Sequence, residues 1–456
     1  MRANLGYTSR DFWQLWPGSL ALWDPYNNRW SNTAGTAQAY RTSMNYQTID
    51  YDQYGGQLDF TKTWKSRVRQ RSLLTFDWFR NKQHNWQWGL SGTNLMNAVM
   101  SLGLDSAEWQ GWRAADPFNT EPKYSLLPSF DPGAGWTGTD ASTYSTDLTF
   151  YGALFNHTVE MLDGRLNLTG SIRQDFSSIK NRRPLSANGN LSSAKSNEDN
   201  FSYSVGLTYN IIPKKFIAYA SYGTSFNPEP TVDPNVGTIY GNTTAEGGEV
   251  GFKGLLMQER FSYTISFYQV TQDNETTRNP ESLIYPDDTT IPYYIDGGST
   301  RGKGIGIDLS GRLLPGLTMI GNASWVAAEV VKNMEDPSLV GTRPLNIPSR
   351  TFGVGMTYRP QRILKGTRIG VSYKYIAEAL RIRAVGRSSG SLARTDYQIP
   401  SSSDWSMFAG YEVRLRNGMQ VDFSVNILNL FDKRTISQAS FGPNGREARF
   451  TVKVAF

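Results

Sequence analysis

Few residues in this chain offer chemistry. There are two histidines, His84 and His157, and no cysteine, so neither a thiolate metal site nor a disulfide framework can be built. The histidines are far apart and lack a metalloprotease spacing, so polar surface positions explain them better than a metal or nucleophile site. Gly302, Gly304 and Gly306 have the look of a phosphate loop. Such a loop must open a helix, whereas this one runs into the alternating series Ile305, Ile307, Leu309. Glycines on the inner face of a strand are expected instead. Asp273, Glu275, Glu281, Asp287 and Asp288 form an acidic stretch without the spacing of a calcium loop, and a solvated loop is expected there. The pattern therefore points away from an enzyme and implies no metal or cofactor.

The aromatic residues are more informative. Trp86, Trp88, Trp109, Trp112 and Trp136 fall in one long Gly-rich insertion over 81–142, and Tyr240, Tyr285, Tyr293, Tyr294 and Phe441 fall in later long loops. Stacking on a planar or sugar-like ligand is one expectation. An interfacial girdle or a small core within the loops is the other.

The elements that must position these residues are strands. At the end of the chain, Phe450, Val452, Val454 and Phe456 alternate with Thr451, Lys453 and Ala455, one face apolar and the other not. The same alternation runs through Phe201, Tyr203, Val205, Leu207, Tyr209 and Ile211 without an error, and through segments near 166–172, 261–267, 305–313, 369–375, 407–415 and 421–427. Arg165, Asn167, Arg173, Asp308, Arg312, Lys374, Glu412, Arg414, Asp422 and Asn426 lie on the polar face. Short connections at 162–164, 212–214, 314–316 and 416–418 take turns with long ones at 177–200, 227–245, 271–300, 330–349, 380–402 and 429–446. Tight turns at one end and long loops at the other predict a transmembrane antiparallel β-barrel. About sixteen strands can be traced, each near the roughly ten residues that cross a bilayer. A β-sandwich would give the same local pattern but mixes its loop lengths.

Composition agrees. A chain of 456 residues with mean hydropathy −0.46 is polar on average, as a barrel is when only alternate residues meet lipid. No long apolar run is present for a helical span. The net charge of +6 is modest and dispersed, so no nucleic-acid partner is expected. Residues 1–54 lack regular alternation and read mostly as loop, with the barrel region over 55–456; the first residues have no signal-peptide pattern.

Several stretches in order resemble the C-terminal barrel of TonB-dependent outer-membrane receptors, siderophore receptors in particular. They are 220–228 (ASYGTSFNP, with Ser225, Phe226 and Pro228), 248–254 (GEVGFKG), 301–311 (RGKGIGIDLSG), 426–433 (NILNLFDK, with Asn429, Leu430, Phe431 and Asp432) and 445–456, ending on Phe456. The likeness covers roughly residue 140 to the end. Glu447 stands where the family usually has proline, and no plug domain or TonB-contacting box is found. The resemblance implies a barrel of about twenty-two strands from which about six strands and the plug are missing, as in a truncated or split reading frame.

It also implies uptake of a scarce ligand across the outer membrane of a Gram-negative cell. A TonB–ExbB–ExbD motor would energise it through the missing N-terminal region, the lipid bilayer would surround it, and the β-barrel assembly machinery would insert it. A ferric siderophore, an iron chelate as cargo, is the first expectation for the ligand. A glycan or cobalamin receptor, a passive pore and a soluble extracellular binding protein are the alternatives. The ligand contacts expected are Trp86, Trp88, Trp109, Trp112, Tyr240, Tyr293 and Phe441.

Overall fold

In the computed structural model the described residues are 2–18, 22–24, 29–31, 43–65, 68–91, 137–138, 144–184, 191–228, 233, 235–285, 288, 290–361, 364–388, 391–415, 418–433 and 445–455. In chain order the strands are β1 (Arg2–Gly18), β2 (Leu22–Asp24), β3 (Arg29–Ser31), β4 (Ser43–Lys65), β5 (Arg69–Ser91), β6 (Thr137–Gly138) and β7 (Tyr144–Met161). There follow β8 (Leu166–Pro184), β9 (Leu191–Ile212), β10 (Phe216–Asn227), β11 (Thr243–Leu256), β12 (Phe261–Arg278), β13 (Tyr294–Leu314) and β14 (Leu317–Asn333). The last are β15 (Arg350–Tyr358), β16 (Thr367–Ile376), β17 (Ala379–Ser388), β18 (Ser391–Ile399), β19 (Ser402–Arg414), β20 (Gln420–Leu428) and β21 (Glu447–Ala455). A one-turn helix α1 (Pro280–Ile284) interrupts the connection between β12 and β13.

One 17-stranded sheet takes in all but two small hairpins, β2–β3 and β17–β18. Apart from the two-residue β6, its members follow one another antiparallel: β1 with β4, then β5, β7, and onward through β16 to β19, β20 and β21. Among the described residues that makes sixteen long strands in an up-and-down meander, the number traced from the alternation.

The connections obey the expected asymmetry. Those between β7 and β8, β9 and β10, β11 and β12, and β13 and β14 are tight. Their backbones enter the left-handed region at Leu162 (φ 53°), Lys214 (φ 65°), Gln258 (φ 60°) and Gly316 (φ 83°). At Gly316 a Cβ would lie 2.3 Å from the Arg359 carbonyl oxygen, so the glycine is required by space as well as by backbone. The other end carries the long connections.

Three expectations change. Residues 2–18 and 43–54 are strand, not loop, because β1 and β4 pair residue for residue from Arg2–Asp59 to Gly18–Ser43. Strand pairing overrides the weak local pattern there. The insertion at 81–142 gives up its first part, since β5 runs to Ser91. The presumed loop 177–200 is largely the paired ends of β8 and β9, which meet at Pro184–Leu191. At 177–200 polar residues fill the strand ends, so alternation fades there while the ladder continues.

The two faces differ as the alternation requires. Leu168, Ile172, Val205, Leu207, Val250, Phe267, Ile369, Val371, Phe423, Phe450 and Val452 are all exposed on one face. Among the described residues only Phe150, Ile179, Ala194, Phe261, Val330, Ala377, Ala379 and Ile399 are buried hydrophobics. Such a wall has no packed interior, and its exposed aliphatic face is stable against lipid, not water.

Candidate functional site

The polar face holds a repeated device. On β8, Arg173 donates from Nη1 and Nη2 to the two carboxylate oxygens of Asp77 on β5, at 2.8 and 2.9 Å. Between them runs β7, and Gly152 lies opposite both Asp77 and Asp175. A Cβ there would sit 2.0 Å from Arg173 Nη2, so only glycine lets the guanidinium lie across the strand. Arg173 Nε also donates to Asp175, at 2.9 Å. The same arrangement recurs where Arg368 of β16 crosses β19 over Gly410 and makes a fork of bonds, 2.5 and 2.6 Å, to Asp422 of β20. Bidentate geometry makes these the strong members of the class.

Toward the long-loop end an aromatic column joins this face. Phe79 stacks on Phe150 at 5.0 Å, and Phe150 on Phe226 at 6.1 Å. Phe226 lies on β10 and Phe150 three strands away on β7, so the contact joins strands that are not neighbours in the sheet. Beside them is a recess of about 580 Å³ lined by Ser204, Ser221, Ser225, Glu249 and Tyr268. Gly223 and Gly247 face one another in its wall. Tyr219 donates its hydroxyl to Glu249 next to it.

Above the recess two loops are locked together. Asp233, in the β10–β11 connection, is fully buried at 0% exposure. It accepts from the Asn235 and Val236 amides at 2.8 and 3.1 Å, from the Tyr294 amide at 3.1 Å and from the Tyr240 hydroxyl. Burial alone would push its carboxyl up; the Tyr240 hydroxyl and the Tyr294, Val236 and Asn235 amides outweigh this and hold it below the usual carboxylate range. Burial first, and then donation to Asp233, push the Tyr240 hydroxyl up. Asn235 Nδ2 donates to the Ile291 carbonyl at 2.9 Å, so the β10–β11 and β12–β13 loops form one unit. On it, Arg278 lies 4.7 Å over the Tyr293 ring, and Tyr293 meets Tyr294 edge-on at 4.7 Å.

The expected ligand residues fare differently. Tyr240 and Tyr293 are brought into one cluster, although the Tyr240 hydroxyl is occupied by Asp233. Trp86 and Trp88 belong to β5, not to a loop, and their side chains lie outside the described residues, as do Trp109, Trp112, Trp136, Phe441 and Phe456. Ser225 lines the recess and Phe226 ends the aromatic column; Pro228 follows directly after β10.

Asn429, Leu430, Phe431 and Asp432 make the turn after β20. Asn429 accepts from the Lys433 amide at 2.8 Å and donates to the Lys433 carbonyl at 3.0 Å. The Leu430 amide donates to the Trp405 carbonyl at 2.7 Å, and Asp432 accepts from the Arg446 amide at 2.8 Å. Phe431 is exposed.

Gly302, Gly304 and Gly306 lie within β13 on the inner face. The acidic stretch divides. Glu275 accepts from Thr300 at 3.0 Å, Asp288 accepts from the Thr290 amide and hydroxyl at 2.9 and 2.6 Å, and Asp287 is outside the described residues. His157 shares a 2.9 Å hydrogen bond with Ser72. Sequence reasoning missed Asp233, Phe79, Phe150 and Glu249. Only Asp233 carries a local signal, an Asx-turn spacing to Asn235 and Gly237; the others are joined through the sheet.

Comparisons with known proteins agree with this architecture. A family model described as TonB dependent receptor-like, beta-barrel, matches residues 2–430. The metal-pseudopaline receptor CntO of Pseudomonas aeruginosa is 24% identical over 231 residues, 50% of this chain and 29% of the receptor. The ferric-pyoverdine 358 receptor of Pseudomonas putida is 26% identical over 260 residues, 55% of this chain and 28% of the receptor. Among solved structures, the ferric preacinetobactin receptor BauA of Acinetobacter baumannii superposes with a TM-score of 0.65 at 15% identity, covering 91% of this chain and 55% of that one. The chain thus spans about half the length of the solved receptor and less of the two sequence relatives. With its lipid-facing wall, its asymmetric connections and a family match over nearly its whole length, the chain belongs to the β-barrel family of TonB-dependent receptors, outer-membrane receptors and not enzymes.

Proposed function

We propose that this chain forms the ligand-facing wall of a receptor that takes up a ferric siderophore, driven by a TonB–ExbB–ExbD motor. The observation that carries this reading is the recess on the concave face, about 580 Å³, beneath two loops held rigid by Asp233. That volume lies in the usual range for small-molecule sites. Its serine hydroxyls, the Tyr268 side chain and the adjoining Phe79–Phe150–Phe226 column offer hydrogen bonds and flat apolar surface together, which suits a chelate with a polar rim and planar metal-binding groups. The names of the relatives, which bind metal-pseudopaline and ferric pyoverdine, support the same class. Residues 55–456 would act as barrel wall together with β1 and the first part of β4, and β21 would be the strand read by the β-barrel assembly machinery.

The test is a binding assay on the receptor extracted from outer membranes, using iron-loaded siderophores of hydroxamate, catecholate and carboxylate type beside an oligosaccharide and cobalamin. Saturable binding of one iron-loaded siderophore is expected. Binding of the oligosaccharide or cobalamin alone would replace the proposed cargo. Saturation by none, with ion current in planar bilayers, would favour a pore.

A further inference from the structure

The outward face of the sheet carries a site that uptake does not use. Across β11 to β15, Val250, Phe267, Ile305, Trp325 and Arg350 stand opposite one another in a continuous row. The four apolar members are exposed. One step nearer the long loops, Gly248, Gln269, Lys303 and Ala327 form the next row. Gly248 and Ala327 are small between larger neighbours, and a groove of about 880 Å³ opens there, flanked by Tyr222 and Trp325.

The charges at its upper edge are not balanced. Lys303 and Arg350 are both exposed, and neither makes an ion pair among the described residues. The carboxylates in the following row are already engaged: Glu329 lies 3.7 Å from Arg301, and Glu246 accepts from the Tyr222 hydroxyl at 2.9 Å. Lys303 and Arg350 belong to strands that flank β14 and are offset by two residues along it, so their Cα atoms are about 12 Å apart. Both side chains can reach a single anion from that spacing.

The height of this pair matters. Long loops mark the outer side of such a barrel, and the apolar rows end at the level of Trp325. Aromatic residues at this level mark the interface, where phosphate headgroups lie. With Lys303 one row above the apolar row and Arg350 at the end of it, a cation pair at the edge of an apolar groove is complementary to an amphiphile, with the anion held at the rim and a chain laid along the floor. We propose that this groove binds a membrane lipid with a net anionic phosphorylated headgroup. Lys303 and Arg350 hold the phosphate, and Val250, Phe267 and Ile305 take an acyl chain.

The experiment uses the full chain in mild detergent, with retention of added lipid followed by native mass spectrometry. The probes are phosphatidic acid, diacylglycerol, phosphatidylcholine and sodium phosphate. Phosphatidic acid should be retained, and diacylglycerol and sodium phosphate should not. Lys303→Gln and Arg350→Gln should each weaken retention about tenfold, one charge-assisted contact apiece. Arg359→Gln, at the tight-turn end, should leave it unchanged. Reduced gel mobility shift on heating identifies any variant that has not folded, and the two single variants are read separately for that reason. Equal retention by folded Lys303→Gln and Arg350→Gln, or equal retention of diacylglycerol or phosphatidylcholine, or binding of sodium phosphate as tight as that of the lipid, would overturn the proposal.

Discussion

Arg173 and Asp77 are joined across a strand that separates them, and Gly152 of that strand leaves the space for the guanidinium to pass. An ordinary cross-strand pair fixes two neighbours; this one fixes three. The Arg368–Asp422 pair does the same over Gly410. In a wall without a packed core, such clamps on the polar face supply order that side-chain packing supplies elsewhere.

Arg173→Gln should therefore cost more than a surface ion pair. Asp175 is 2% exposed and would lose its cation, for which about 3–5 kcal/mol is the usual penalty. Urea unfolding in detergent measures it. Adding Asp77→Asn should recover part of the loss, and Gly152→Ala should approach the loss seen for Arg173→Gln, since the new methyl displaces the same group. A change below about 1 kcal/mol in Arg173→Gln would show that the clamp is ornamental.

The glycines of β13 separate strand from phosphate-loop readings. At Gly304 a Cβ would lie 2.4 Å from the Trp325 carbonyl oxygen and 2.7 Å from the Tyr268 hydroxyl, whereas Gly302 has open space. Gly304→Ala should lower the folded fraction in a heat-modifiability gel, and Gly302→Ala should leave it near wild type. Equal damage at both positions would count against the strand geometry.

Acid should release the two locked loops only at low pH. The Asp233 carboxyl is held below the usual range, so its contribution is fully present above the ordinary carboxylate value and disappears as pH falls through the lower folded value. Limited proteolysis within 235–242 should stay slow at mildly acid pH and rise below the normal carboxylate range. Asp233→Ala should make that cleavage fast at neutral pH, with a loss of about 1–3 kcal/mol from orphaned donors. Tyr240→Phe should have a smaller effect in the same direction.

The turn after β20 makes a fourth case. Asn429 has φ 49° and bonds Lys433 twice. Asn429→Ala should lower the melting temperature by removing both bonds and straining the left-handed backbone, about 1–2 kcal/mol in all. Asn429→Gly should recover the strain component, and a calorimetric scan of the three proteins distinguishes the two losses.

The barrel was legible because lipid contact imposes period two on every crossing. Phe201 to Ile211 shows it without interruption, and the register follows. Legibility ended where the strands leave the membrane: Asp199 and Glu198 remain paired to Phe176 and Ser177, but no apolar medium selects their side chains. The site was only partly legible. Ser225 and Phe226 belong to a recognisable motif, whereas Phe79 and Phe150 come to Phe226 from other strands, which no local spacing encodes. Tyr240 was expected as a contact residue; its hydroxyl is instead engaged within the protein.

The Asp233 lock has a consequence for how such a receptor can diversify. Because donors from Asn235, Val236, Tyr240 and Tyr294 converge on one carboxylate, the two loops cannot drift independently: a change that shifts one moves the other. On the proposed uptake reading, new ligand preferences would arise more readily from substitutions at half-buried neighbours of this knot, such as Tyr293 and Arg278, than from insertions that pull its members apart. Lineages under pressure for a different cargo would then keep the knot and vary its ornaments.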